Sequence, residues 1–144
     1  MSFDPRIING DLVLNNGDLE TLTGSAKLIQ DILKILLTAA GSCPLNPWYG
    51  SFLSRTMIGN PNQTNMLIQI AKSQIQTALT NLQNLQKLQL QSFQRMSADE
   101  QLSAILGISV VQSQVNPTLF SVKIKVLTAG LRTIDTSFIV NTIT

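Results

Sequence analysis

From Ala26 to Ala40 the apolar positions Leu28, Ile29, Ile32, Leu33, Ile35, Leu36 and Leu37 leave only a narrow polar stripe of Lys27, Gln30, Asp31, Lys34 and Thr38. A helix with that distribution belongs deep in a core rather than on a surface. Ser25 is its expected N-cap and Gly41 its expected C-cap. Pro44 and Pro47 keep the helix from restarting, so Ala39–Ser51 reads as a compact loop ahead of a short helix over Ser51–Met57, closed by Gly59-Asn60-Pro61-Asn62. Upstream, Leu12-Val13-Leu14 and Leu19-Glu20-Thr21-Leu22 flank Asn15-Asn16-Gly17-Asp18, and Asn-Gly supplies the positive φ values of a tight hairpin turn.

The longest periodic segment runs from Thr64 to about Arg95. Ile68, Ala71, Ile75, Ala78 or Leu79, Leu82, Leu85 and Leu88 alternate steps of three and four along it. The spacing predicts one helix about 40–45 Å long. Its other faces carry Gln and Asn where a solvated helix usually carries Glu and Lys. An amide can hydrogen-bond a partner without the desolvation cost of a charge. Gln76, Gln83 and Gln86 are therefore candidate partner contacts, the alternative being a merely solvated face. Ser97-Ala98-Asp99-Glu100 has capping-box spacing and predicts a short helix through Leu106.

Beyond Gly107 the period becomes two. Phe120, Val122, Ile124 and Val126 alternate with Ser121, Lys123 and Lys125, Ile108–Val115 pairs with them across Asn116-Pro117-Thr118, and Ile134, Thr136, Phe138 and Val140 mark a third strand. That last strand, Leu131–Ile143, carries only Arg132 and Asp135 as charges and no Lys or Pro from Thr136 onward. Such an edge can accept a strand from another chain, which makes Phe138 and Val140 candidate contact residues. The competing expectation is an edge covered by the N-terminal hairpin. No internal repeat is apparent. The fold class expected is α+β, a single domain over residues 1–144, with the C-terminal three-stranded meander plus the N-terminal hairpin packed against the core helix and the long helix.

Composition narrows the chemistry. The 144 residues include no histidine and one cysteine, Cys43, which excludes Ser-His and Cys-His nucleophiles, imidazole zinc sites and an internal disulfide. No cofactor is expected. A glycosidase would need two carboxyl groups flanking a cleft. The acids close together are Asp18 with Glu20, at i and i+2 and read as turn and exposed strand, and Asp99 with Glu100, read as a helix start. Between Asp31 and Asp99 there is no acid, while Arg55, Lys72, Lys87 and Arg95 lie scattered there without interleaved aromatics, so nucleic acid is not an expected partner. There is neither an 18-residue apolar run nor a basic-then-apolar N-terminus, which argues against a membrane span and a signal peptide. Trp48 and Tyr49 read first as anchors of the loop, with partner contact as the second reading, and Arg55 and Arg95 could each meet a partner carboxylate, the alternative being a solvated helix residue.

Asn15-Asn16-Gly17-Asp18, the helix ending Ile35-Leu36-Leu37-Thr38-Ala39-Ala40-Gly41-Ser42, and Pro44 and Pro47 followed by Tyr49-Gly50-Ser51 together resemble the small baseplate wedge family of contractile phage tails. That family is often labelled lysozyme-like and includes the matching baseplate component of type VI secretion. The resemblance is most specific over Gly10–Gly59. It implies a structural, non-enzymatic virion protein made in the host cytoplasm, which joins other wedge subunits and seeds the first ring of the tail sheath. The family also carries an aromatic-Glu-Pro-Arg motif after its long helix; the nearest segment here, Phe93-Gln94-Arg95, keeps the aromatic and the arginine. Competing readings are an adaptor of an unrelated assembly and, behind it, a peptidoglycan hydrolase.

Overall fold

The computed structural model describes residues 3–57 and 64–141. The architecture is α+β, as expected. A three-stranded antiparallel meander, β7 (Leu102–Gln112), β8 (Leu119–Thr128) and β9 (Thr133–Asn141), packs its inner face on two helices, α1 (Gly24–Leu37) and α3 (Thr64–Gln91). A short helix α2 (Leu53–Met57) lies against α3. Alternation in β8 falls as read: Phe120, Val122, Ile124 and Val126 are buried, meeting Leu28, Ile32 and Ile35 of α1 and Ala71, Ile75 and Leu79 of α3 in one core. Each of these Phe, Val, Ile and Leu side chains contributes about 1.5–3 kcal/mol by leaving water, and Ala71 less.

The N-terminus departs from the single hairpin expected, and it does not join the C-terminal sheet. Three two-residue ladders form instead: β1 (Asp4–Pro5) with β6 (Thr21–Leu22), β2 (Ile7–Ile8) with β3 (Asp11–Leu12), and β4 (Leu14–Asn15) with β5 (Asp18–Leu19). They radiate from a ring of main-chain bonds, Arg6 N to Glu20 O (2.7 Å), Val13 N to Arg6 O (3.0 Å) and Glu20 N to Val13 O (2.9 Å). Residues 6, 13 and 20 are seven apart because Ile7–Val13 and Leu14–Glu20 repeat an Asn-Gly-Asp-Leu core. The chain thus has an internal repeat, one turn long and easily missed. Asn9-Gly10 and Asn16-Gly17 both hold positive φ, as two-residue hairpin turns require.

Helix boundaries shift as well. Helix α1 begins at Gly24 with Thr23, not Ser25, at the cap position, and the Thr23 side chain makes no capping bond. It ends at Leu37, because Thr38 turns extended and Ala39 bridges Ser51 in parallel; Gly41 sits in the loop beyond, its N–H on Pro47 O. The loop returns so closely that a Cβ on Gly50 (φ +113°) would lie 2.6 Å from Thr38 O, so only glycine fits. The short helix expected through Leu106 is a single 3-10 turn, Ala98–Glu100, after which β7 begins at Leu102. The closing segment Gly59–Asn62, and the chain beyond Asn141, lie outside the described residues.

Candidate functional site

The polar stripe of α1 is used internally. Gln30 is buried under β1 and β2: its amide donates to Pro5 O (2.9 Å) and Asp4 Oδ2 (3.1 Å) and its carbonyl accepts Ile7 N (3.0 Å). Lys34 pairs with Asp4 and with Asp31 (3.2 Å), and Lys27 with Asp31 (2.9 Å). Burial pushes the Asp4 carboxyl up, but hydrogen bonds from Lys34 and Gln30 outweigh it and hold the group below its ordinary value. Burial likewise lowers Lys34, and the bonds and charges of Asp4 and Asp31 more than restore it, leaving it raised. Burial raises the Tyr49 phenol nearby.

The amide face of α3 divides. Gln86 is only 4% exposed; it donates to Glu100 O (2.9 Å) and accepts Leu102 N (2.7 Å), so its reading as a partner contact is corrected. Gln83 donates to Ser103 O (2.9 Å) and is half-buried, while Gln76 is exposed. The α3 seam drifts as it runs: Leu88 is exposed and Gln86 takes the inward position. Trp48 is 42% exposed with its ring edge-on to the half-buried Tyr49, centroids 6.1 Å apart. Arg95 is exposed in the loop after α3.

Glu100 is the residue sequence reasoning missed. It is fully buried, and its two carboxylate oxygens accept Gly24 N and Ser97 N, each at 3.2 Å. It therefore caps α1 from 76 residues away, at the positive end of a helix that carries no acid in its own first turn. The only sequence signal was the Ser97-x-x-Glu100 spacing, which points to the local half of this contact. By contrast, Phe93-Gln94-Arg95 touches none of this: Phe93 stands in solvent. Among the acids, Glu20 pairs with Arg6 (2.5 Å) and Asp99 with Arg132 (3.6 Å).

The two edges of the meander differ in kind. β7 is irregular, with register shifts between Leu102 and Ala104 and between Ile105 and Gly107, and α3 side chains take two of its main-chain groups. β9 instead pairs with β8 without a shift over nine residues, Leu119–Asn141 through Leu127–Thr133, and no described strand pairs with its outer side. The expected cover by the N-terminal hairpin is absent there. Phe138 and Val140 point inward and pack, half-buried, on the core; the outward positions are Asp135, Ser137 and Ile139. What the edge offers a partner is main chain, with Phe138 and Val140 at its rim. No helix is long and apolar enough to cross a membrane among the described residues.

No protein-family model matches the chain, and no curated protein matches it in sequence. In fold it is similar to a solved structure from Geobacter sulfurreducens described as a "putative tail lysozyme", with a TM-score of 0.58 over 91% of this chain and 96% of that one, at 12% identity.

Proposed function

We propose that this chain is a structural, non-enzymatic component of a contractile phage tail or related injection machine, set in the baseplate, where it links wedge subunits to the first sheath ring. The observation that carries the reading is the β9 edge, regular and joined on its outer side by no described strand, with Asp135 the one charge among its residues. Natural edges are usually blunted by Lys, Pro, bulges or a cover. β7 is blunted in that way; β9 is not. A strand added there gains main-chain hydrogen bonds and side-chain pockets along alternate residues. Likeness of fold to a protein described as a tail component favours this assembly over an unrelated one.

A proline scan over Ser137, Phe138, Ile139 and Val140 tests it. Successive N–H groups in a strand point to opposite sides, so prolines at one parity break the ladder to β8 and those at the other remove only donors of the free edge. Free-edge prolines should leave the fold intact and baseplates assembled, yet leave those baseplates without sheaths in electron micrographs. Full-length sheaths on baseplates carrying them would rule the docking role out, and absence of the protein from purified tails would leave only the unrelated adaptor.

A further inference from the structure

Two bulky apolar residues occupy backbone positions that local physics assigns to glycine. Phe93 (φ +62°) closes α3: its N–H bonds Leu90 O (3.1 Å) and Gln94 N–H bonds Gln89 O (3.0 Å), the paired bonds of a Schellman motif. Leu131 (φ +61°) closes the β8–β9 turn, in which Leu131 N bonds Thr128 O (3.0 Å) and Thr128 N bonds Arg132 O (2.8 Å), a type I turn ended by a left-handed residue. A side chain at either site costs conformational energy. Neither side chain recovers that cost by packing, since Phe93 is 94% and Leu131 81% exposed. At Gly130, beside Leu131, a Cβ would lie 2.7 Å from Asp99 Oδ1, the movable end of a partly exposed side chain.

The two loops belong to one end of the molecule. Gly130 N donates to Ala98 O (3.3 Å) and Arg132 faces Asp99 (3.6 Å), joining the β8–β9 turn to the 3-10 turn that follows the Phe93 loop. Lys87, Leu90 and Ala129 line a shallow depression on the same end. Lys87 and Arg95 are exposed and make no ion pair among the described residues, and the acids here are spoken for, Asp99 by Arg132 and Glu100 by main-chain N–H groups. We infer that this end is a docking surface on which Phe93 and Leu131 are paired anchors, and that its partner is a different protein presenting an apolar cleft rimmed by carboxylates. Strain in the free chain is then retained for contact in the complex, the usual direction of a stability–function conflict. The inference rests on the chain being an assembly subunit, but not on the tail assignment or on the β9 edge.

The test has two arms. In the purified chain, Phe93→Gly and Leu131→Gly should each raise Tm by about 2–4 °C, as relief of a left-handed side chain does in a domain of this size. In cells producing the full chain with its natural neighbours, a photo-crosslinking phenylalanine analogue at position 93 or 131 should give one shared adduct. Mass spectrometry should place that adduct on a peptide rich in apolar and acidic residues. The same probe at Val115, equally exposed at the opposite end of β8, should give none of it, and Arg95→Glu should weaken it severalfold. A fall in Tm for the glycine variants would overturn the inference. So would adducts shared with position 115, adducts only with another copy of the chain, adducts from one position alone, or none. A shared partner that is not a tail protein would leave the inference standing and remove the tail reading instead.

Discussion

Two glutamines three turns apart on α3 show how much one residue's environment decides. Gln76 lies in solvent and Gln86 holds the 3-10 turn to the start of β7 through both ends of its amide. Gln76→Glu should change stability by less than about 0.5 kcal/mol. Gln86→Glu leaves Glu100 O without its donor and buries a carboxylate, and should lose at least about 2–3 kcal/mol in urea unfolding. Similar losses in the two variants would contradict this assignment. Glu100→Gln keeps shape but places an NH2 group near backbone N–H donors that Glu100 accepts, at Gly24 and Ser97. We expect a loss of about 1–3 kcal/mol, with faster amide exchange at the first turn of α1.

At the scale of elements, the N-terminal ribbons are latched to α1 by Asp4, Lys34 and Gln30. Asp4 has a depressed pKa, so its contribution is fully present above the unfolded value of 3.8 and is lost as pH falls through the lower folded value. Lys34 is raised, so its contribution is present below 10.5 and is lost as pH rises through the higher folded value. The latch should therefore hold across the neutral range and loosen toward either extreme. Both groups are partly exposed, and Asp4→Asn should cost about 1 kcal/mol or less, read as up to fivefold faster exchange of the Ile7 N–H at pH 7 and no added effect at pH 2. An unchanged rate at pH 7 would show that Gln30 alone holds the ribbon. At the other end of α1, Gly50→Ala meets Thr38 O and should cost at least about 2 kcal/mol, seen as a drop in Tm.

For the whole molecule, the proposed role carries no hydrolytic chemistry. Purified chain should leave no cleared zone in a peptidoglycan gel, and clearing that disappears in Glu20→Gln or Asp99→Asn would return the enzyme reading. Assembly would then depend on two separate surfaces, the β9 edge and the end bearing Phe93 and Leu131. Variants at one should leave the other's contact intact, which co-purification of each partner would check.

The sequence by itself determined β8 and β9, the two packed helices and most of their core faces, because those are set by period: two along β8 and β9, three and four along α1 and α3. It did not determine the first half of β7, which reads as helix, or the end of the α3 seam, where Gln86 replaces Leu88. The sequence also marked the β9 edge, since the run of uncharged residues is local. Tertiary structure alone decided everything that joins distant segments. Gln30 and Lys34 look like a wet stripe until β1 and β2 cover them, and Gln86 looks like a docking residue until the 3-10 turn meets it. Glu100 looks like a local cap until Gly24 arrives from 76 residues away. A polar side chain has no periodic signature for its partner. Its role is fixed by whichever main-chain groups lose water beside it, and folding, not spacing, brings those together.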